Sequence, residues 1–261
     1  MKSPNLILHC GATEVARTDL NVIELPPTTR TYCPIGHNTF VDLVEDKLAD
    51  VGFRFGTQAH SLTKMGNRYF GLVELLCGQE NDQHAMVVGI RNSIDKSFPA
   101  AIAFGSQVFV CDNLAFSGEI KVSRKHTTNI MRDLPHLVGA AVMNTELMRD
   151  NQNLRFDHYQ DSKIDSRTAD HLIIEMLRHG AINTSRVQKV VQQWDEPDHD
   201  FGGKTVWRLF NAVTESLKEA PLHDVPPRTI LLQSVLDRAA RFTPKAVELP
   251  DAIDAEFTVI N

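Results

Sequence analysis

Four basic side chains crowd the end of the stretch "VFVCDNLAFSGEIKVSRKHT", residues 108 to 127: Lys121, Arg124, Lys125 and His126. In an extended strand Lys121 and Lys125 share one face, and Arg124 and His126 the other. A helix N-terminus expected near Thr128 adds backbone amide donors, so the cluster suits an anion such as a phosphate. Arg91, Asn92 and Lys96 follow an earlier apolar run and extend the basic character along the same predicted sheet edge. Asn113 and His126 would act there as neutral partners. Cys111 followed by Asp112 has the residue types of a nucleophile beside an acid, but neighbours in a strand point to opposite faces and no local sequence supplies a base. Cys111 is therefore expected in the core, and no catalytic residue is assigned.

Other pairings are weaker chemically. His171, Glu175 and His179 recur at four-residue intervals on one predicted helix, yet the outer pair is separated by about 12 Å, too far for both to hold one ion. Asp198, His199 and Asp200 form a polar loop that could meet a cation. Neither set makes a complete ligand shell, so no metal and no cofactor are predicted. Phosphate-loop, dinucleotide-binding and nucleophile-elbow patterns are absent from the sequence. On the helix expected over 204 to 219, Val206, Leu209, Phe210, Val213 and Leu217 form an inward stripe. Trp207, Asn211, Thr214 and Glu215 are left on another face, an arrangement suited to gripping a protein partner.

Composition limits the classes these groups can serve. The chain has 261 residues, 42% hydrophobic and 23% charged, ordinary globular values. Its net charge of -6 argues against wholesale coating of nucleic acid, which relies on many cationic side chains, so any such contact must be local. Cys10, Cys33, Cys77 and Cys111 are widely spaced and suggest neither a zinc ribbon nor a disulfide framework. The apolar start "NLILHC" is short for a secretory segment, and no apolar run approaches ~18 residues. The expectation is a soluble cytoplasmic protein with no membrane partner.

The elements that must position these groups follow from periodicity. Residues 1 to 35 read as an N-terminal arm with a strand-like stretch and the turn formers "PPTT" and "CPIG". Phe40, Leu43, Val44, Leu48 and Val51 predict a helix over 38 to 51, with Asn38 as cap and Gly52 as stop. Strands are predicted at 53 to 63, 68 to 77, 85 to 94, 101 to 111 and 114 to 124, joined by polar turns as a meander. After Thr128 an apolar stripe resumes, with Pro135 expected to open a second helix. Further helices are predicted at 166 to 179, with Ser166 as cap and Gly180 as stop, and at about 185 to 194, 204 to 219 and 227 to 242. The fold class is α+β: a helix plus antiparallel β-meander core at 36 to 150, then a helical C-terminal region at 151 to 261 packed on it.

Several short segments, in order, resemble the phage and plasmid-like family grouped as domain of unknown function 932. They are Asn92-Ser93-Ile94-Asp95-Lys96-Ser97, then Val110-Cys111-Asp112-Asn113-Leu114, then Lys125-His126-Thr127, and finally Thr205-Val206-Trp207 with Asn211-Ala212-Val213-Thr214-Glu215. Ile94 and Lys96 stand where the family pattern has His and Gly. The resemblance implies a mobile-element setting and, because the family has no assigned activity, no mechanism. Residues 35 to 77, a helix ending at a Gly-aromatic pair before successive strands, also look like the core of Rad-fifty-two-type single-strand annealing proteins. That likeness implies a strand-lined basic groove that tracks the phosphate backbone.

The leading expectation is a non-enzymatic, homo-oligomeric protein that binds nucleic acid, with annealing of single-stranded DNA in recombination or replication as its task. Arg91, Lys96, Asn113, Lys121, Arg124, Lys125 and His126 would form its site. The alternative is an effector that engages a host protein through its acidic surface and the Trp207 helix. A hydrolase with an unrecognised His/Asp site is a third reading.

Overall fold

The computed structural model describes residues 12–76, 84–108, 113–218, 220 and 224–246. Six strands run in sequence order through one antiparallel sheet: β1 (Ala12–Val15), β2 (Arg54–Thr63), β3 (Arg68–Leu76), β4 (His84–Ser93), β5 (Ala100–Val108) and β6 (Asn113–Arg124). The expected meander is present, and its polar turns allow each strand to fold back on the last. Residue alternation divides the sheet between two cores. Tyr69, Val73, Val88, Ile90, Ile102, Phe104 and Val122 pack on α1 (His37–Asp50) and α2 (Ile130–Val142). On the other face Ala59, Leu72 and Val87 meet the C-terminal helices. Strands buried on both faces lose polar alternation, which is why "GLVELL" and "AMVVGI" read as almost continuous apolar runs.

The C-terminal half is helical: α3 (Thr145–Asp161), α4 (Ser166–His179), α5 (Thr184–Asp195), α6 (Val206–Leu217) and α7 (Val225–Ala239). Gly180 ends α4 in the left-handed region at φ 83°, as its position after the apolar stripe predicts. The cap of α4 is Asp165 rather than Ser166; its carboxylate accepts from the Thr168 amide at 2.8 Å.

One local expectation fails and one helix was not expected, each for an identifiable reason. Pro135 does not begin a second helix but sits inside α2. Its ring removes a bond to the carbonyl of Met131, a residue on the exposed side of α2, while Ile130, Leu134, Leu137, Val138, Ala141 and Val142 stay buried as one stripe. Helix α3 has no apolar stripe to read because its buried positions include Asn151, Gln152 and Arg155. Two of these meet distant groups: Asn151 exchanges hydrogen bonds with the Lys245 backbone at 3.0 Å, and Arg155 Nε donates to Asp237 of α7 at 3.0 Å, whose carboxylate also accepts from the Tyr159 hydroxyl at 2.6 Å. Among the described residues, no helix is long and apolar enough to cross a membrane.

Candidate functional site

Adjacent residues of β4, Arg91 and Asn92, open onto opposite faces of the sheet and build two different environments. Asn92 points to the α1 side, where it is fully buried. Its amide nitrogen donates to the Ile35 carbonyl at 2.9 Å and to His37 Nδ1 at 3.0 Å. His37 Nε2 in turn donates to the Gly66 carbonyl at 2.9 Å, and since a carbonyl only accepts, the proton must sit on Nε2. Asn92 Oδ1 is left buried with no hydrogen-bond partner among the described residues.

The polar core continues through Tyr69, whose ring stacks 5.7 Å from His37 and 6.0 Å from His60. The Tyr69 hydroxyl lies 2.8 Å from His60 Nδ1, and His60 Nε2 lies 3.1 Å from Gln58 Oε1. Because an amide oxygen only accepts, His60 carries its proton on Nε2 and Nδ1 accepts from Tyr69. Burial, with a smaller contribution from the Arg17 charge, pushes the His60 ring down to about 4. Gly71 makes this geometry accessible: a β-carbon there would lie 1.9 Å from the Tyr69 hydroxyl oxygen.

His126 lies on the same side, buried rather than exposed as a phosphate partner would be. Its ring is 5.9 Å from that of Tyr32, its carbonyl accepts from the Cys33 amide at 3.1 Å, and neither ring nitrogen has a partner with hydrogen-bond geometry among the described residues. Burial foremost lowers its basicity, against a smaller raising effect of the Cys33 backbone. The segments 92 to 97 and 125 to 127, far apart in sequence, thus meet around residues 32 to 37. Sequence reading missed Tyr32, His37, His60 and Tyr69, since nothing local in "IGHN" or "QAHS" marks a contact made across the sheet.

Arg91 belongs to the other face. It is half-buried, and its guanidinium lies 5.4 Å from the centroid of Phe98, which packs 5.4 Å from Phe70. Among the described residues no carboxylate pairs with it, and burial alone lowers its pKa. Gly89 and Ala103 pair across β4 and β5, and both keep partial exposure. Lys121 pairs with Ala103 along β6, two positions from the row in which Arg91 faces Ala101. Lys96 is exposed, with its ammonium 4.5 Å above the Tyr32 ring. Its φ of 65° is left-handed, the conformation that suits the Gly of the family pattern at this position.

The remaining expected site residues divide. Arg124 is turned away from any shared anion site: its guanidinium donates to Asp133 at 2.7 Å, and its side chain is only 14% exposed. Asp133 occupies the first turn of α2, so the helix N-terminus expected to receive an anion already carries a carboxylate. A hydrogen bond from Arg132, foremost, and the Arg124 charge hold that carboxyl below its ordinary range. Lys125 is exposed. Asn113 opens β6 opposite Val108. Cys111 and Asp112 lie outside the described residues.

Three of the four residues expected to form a partner surface on α6 are inside the molecule. Trp207, Asn211 and Thr214 are all buried, and the Trp207 ring lies 4.8 Å from Phe156 and 5.5 Å from Phe210. Asn211 and Thr214 return their polar groups to the helix backbone, at Trp207 and Phe210, so a polar type does not imply a solvent face. Glu215 is partly exposed and pairs with Lys218 at 2.7 Å. Glu175 lies 3.7 Å from His171 and 3.8 Å from Arg238, while Asp198 accepts from Gln193 and Asp200 from the Gly202 amide. Among the described residues no group of three metal-ligating side chains could hold an ion.

Comparison with known proteins gives one result. The family model described as "Domain of unknown function (DUF932)" matches residues 27–240. No curated protein and no solved structure matches the chain, so the Rad-fifty-two-type likeness gains no support.

Proposed function

The chain belongs to the family of domain of unknown function 932, a premise that brings no activity with it, and from its own residues we propose that it binds single-stranded nucleic acid on the Arg91 face of the sheet. The observation that carries this reading is a half-buried arginine stacked on Phe98 with no carboxylate to pair with it among the described residues. An arginine in that state favours an incoming anion, because a phosphate restores the pairing that burial denies it. The partly exposed Phe98 ring beside it, backed by the buried Phe70, supplies an apolar surface on which an unpaired base stacks, at ~1–3 kcal/mol per base. Gly89 and Ala103, small and partly exposed, pair beside it on β4 and β5. Lys121 and the exposed Lys125 follow on β6 and just beyond it. Arg124 and His126 are excluded from the binding face, the first by its ion pair and the second by burial.

A local patch on an acidic protein predicts modest affinity with few phosphate contacts. Fluorescence anisotropy of labelled single-stranded and duplex DNA of equal length tests the reading. It predicts salt-sensitive binding with preference for the single strand; no binding at low salt contradicts it. For the host-protein alternative, Trp207 offers no surface anchor, since it is a core residue.

A further inference from the structure

Residues 32 to 37 cross the end of the sheet as a strap. The Tyr32 hydroxyl donates to the Ile94 carbonyl at 2.8 Å, the Cys33 amide to the His126 carbonyl at 3.1 Å, and Asn92 to the Ile35 carbonyl at 2.9 Å. Beneath the strap lie Asn92 Oδ1 and both His126 ring nitrogens, buried and without partners among the described residues. Buried polar atoms without partners destabilise the state that buries them, and lifting the strap would hydrate all of them. We propose that the strap is a proton-operated latch, in which protonation of His37 and His126 releases residues 32 to 36 from Asn92 and from the segment after β6.

The hydrogen-bond polarity around Asn92 makes the closed state selective for neutral His37. In that state Nδ1 accepts from Asn92, whose other amide hydrogen holds Ile35. A protonated His37 presents a donor at Nδ1, which faces the Asn92 donor. Rotating the Asn92 amide relieves that clash by offering Oδ1 to the ring, but it also sets an oxygen against the Ile35 carbonyl. Either response weakens the strap's attachment at Ile35. His126 adds to the effect, because a charged ring in its closed position has no acceptor of hydrogen-bond geometry among the described residues.

Groups from several elements bear on the two rings. His37 faces the Tyr69 ring of β3, the Gly66 backbone, Asp95 of the β4–β5 turn and His126. Asp95 is itself paired with Arg68 at 2.8 Å. His126 faces Tyr32 and the Cys33 backbone from the strap and His37 from α1. Burial is the largest influence on both rings and keeps them neutral when closed; Gly66 and Asp95 act against it at His37, and Cys33 at His126. Opening returns each ring toward its ordinary pKa of about 6.5. The closed strap therefore has its full stability above that pH and loses it as pH falls.

Hydrogen exchange at the Cys33 amide, corrected for intrinsic rates between about pH 7.5 and pH 5, tests the latch. Protection should fall as pH drops below about 6.5, by up to about tenfold per pH unit for each ring that charges on opening. The Val73 amide in β3 reports whether the fold remains intact. A double variant, His37→Gln with His126→Phe, should give a flat Cys33 profile. His126→Phe alone keeps an aromatic ring that cannot take a proton and should reduce the slope if the double variant does not fold. A flat wild-type profile, or a slope unchanged by His126→Phe, would overturn the proposal.

Discussion

Arg91 and Asn92 are neighbours on one strand with opposite circumstances. Asn92 is fully buried and commits its amide hydrogens to Ile35 and His37. Arg91 is half-buried, and its guanidinium lies over the face of Phe98. The first arrangement ties the 32 to 37 strap to the sheet, and the second is the one proposed to meet nucleic acid. A strand's alternation thus separates a fully buried, hydrogen-bonded polar residue from a half-buried arginine with a single step along the chain.

The largest expected stability effect comes from the Asn92 side. Asn92→Ala leaves the Ile35 carbonyl and His37 Nδ1 without their donor, so chemical denaturation should show a loss of about 3 kcal/mol. A loss below about 1 kcal/mol would break the distinction between the faces.

Acid acts next. His37, His60, His84 and His126 are all buried, and burial foremost lowers each pKa, with His60 brought down to about 4. Their neutral forms belong to the folded state, so this stability is fully present above about pH 6.5 and falls as pH drops toward the folded-state values. The slope should reach about 1.4 kcal/mol per pH unit for each histidine that charges on unfolding, measured by denaturation at stepped pH. A stability flat between about pH 6.5 and pH 4.5 would contradict the neutral cluster.

Tyr69→Phe is more selective. It leaves His60 Nδ1 without its donor and should cost about 1–2 kcal/mol, with His60 titration by NMR reporting the altered environment. Arg91→Ala should have the smallest effect on folding, within about 1 kcal/mol, because the contact it removes among the described residues is the stacking of the guanidinium on Phe98. A larger destabilisation in denaturation would make Arg91 a structural residue and remove the contrast with Asn92.

Much of the fold could be read locally. Each strand from β2 to β6 begins and ends within about three residues of its expected limits because apolar runs and polar turns are neighbouring-residue signals. The same holds for α1 and for the Gly180 stop. Helix α3 escaped because its buried Arg155 is balanced by Asp237 and its buried Asn151 by the Lys245 backbone, both remote in sequence. Pro135 misled because a helix can forgo one bond on its exposed side.

The candidate site was legible only in part for the same reason. Basic residue types drew attention to Arg91, Lys121, Arg124, Lys125 and His126 together, but charge pairing and burial decide which remain available. Arg124 is claimed by Asp133 in α2, and His126 is covered by Tyr32 and Cys33, contacts that a local pattern does not contain. The polar stripe on α6 misled similarly: Asn211 and Thr214 bond back to their own helix and accompany Trp207 into the core.

The most direct measurement is the salt dependence of single-stranded DNA binding by the wild type and by Arg91→Ala, followed by fluorescence anisotropy. The account predicts weaker binding by the variant and a log-affinity against log-salt slope lower by about 0.7, the equivalent of one phosphate contact on a single strand. Equal affinities and equal slopes in a folded variant would contradict it and remove Arg91 from the binding face.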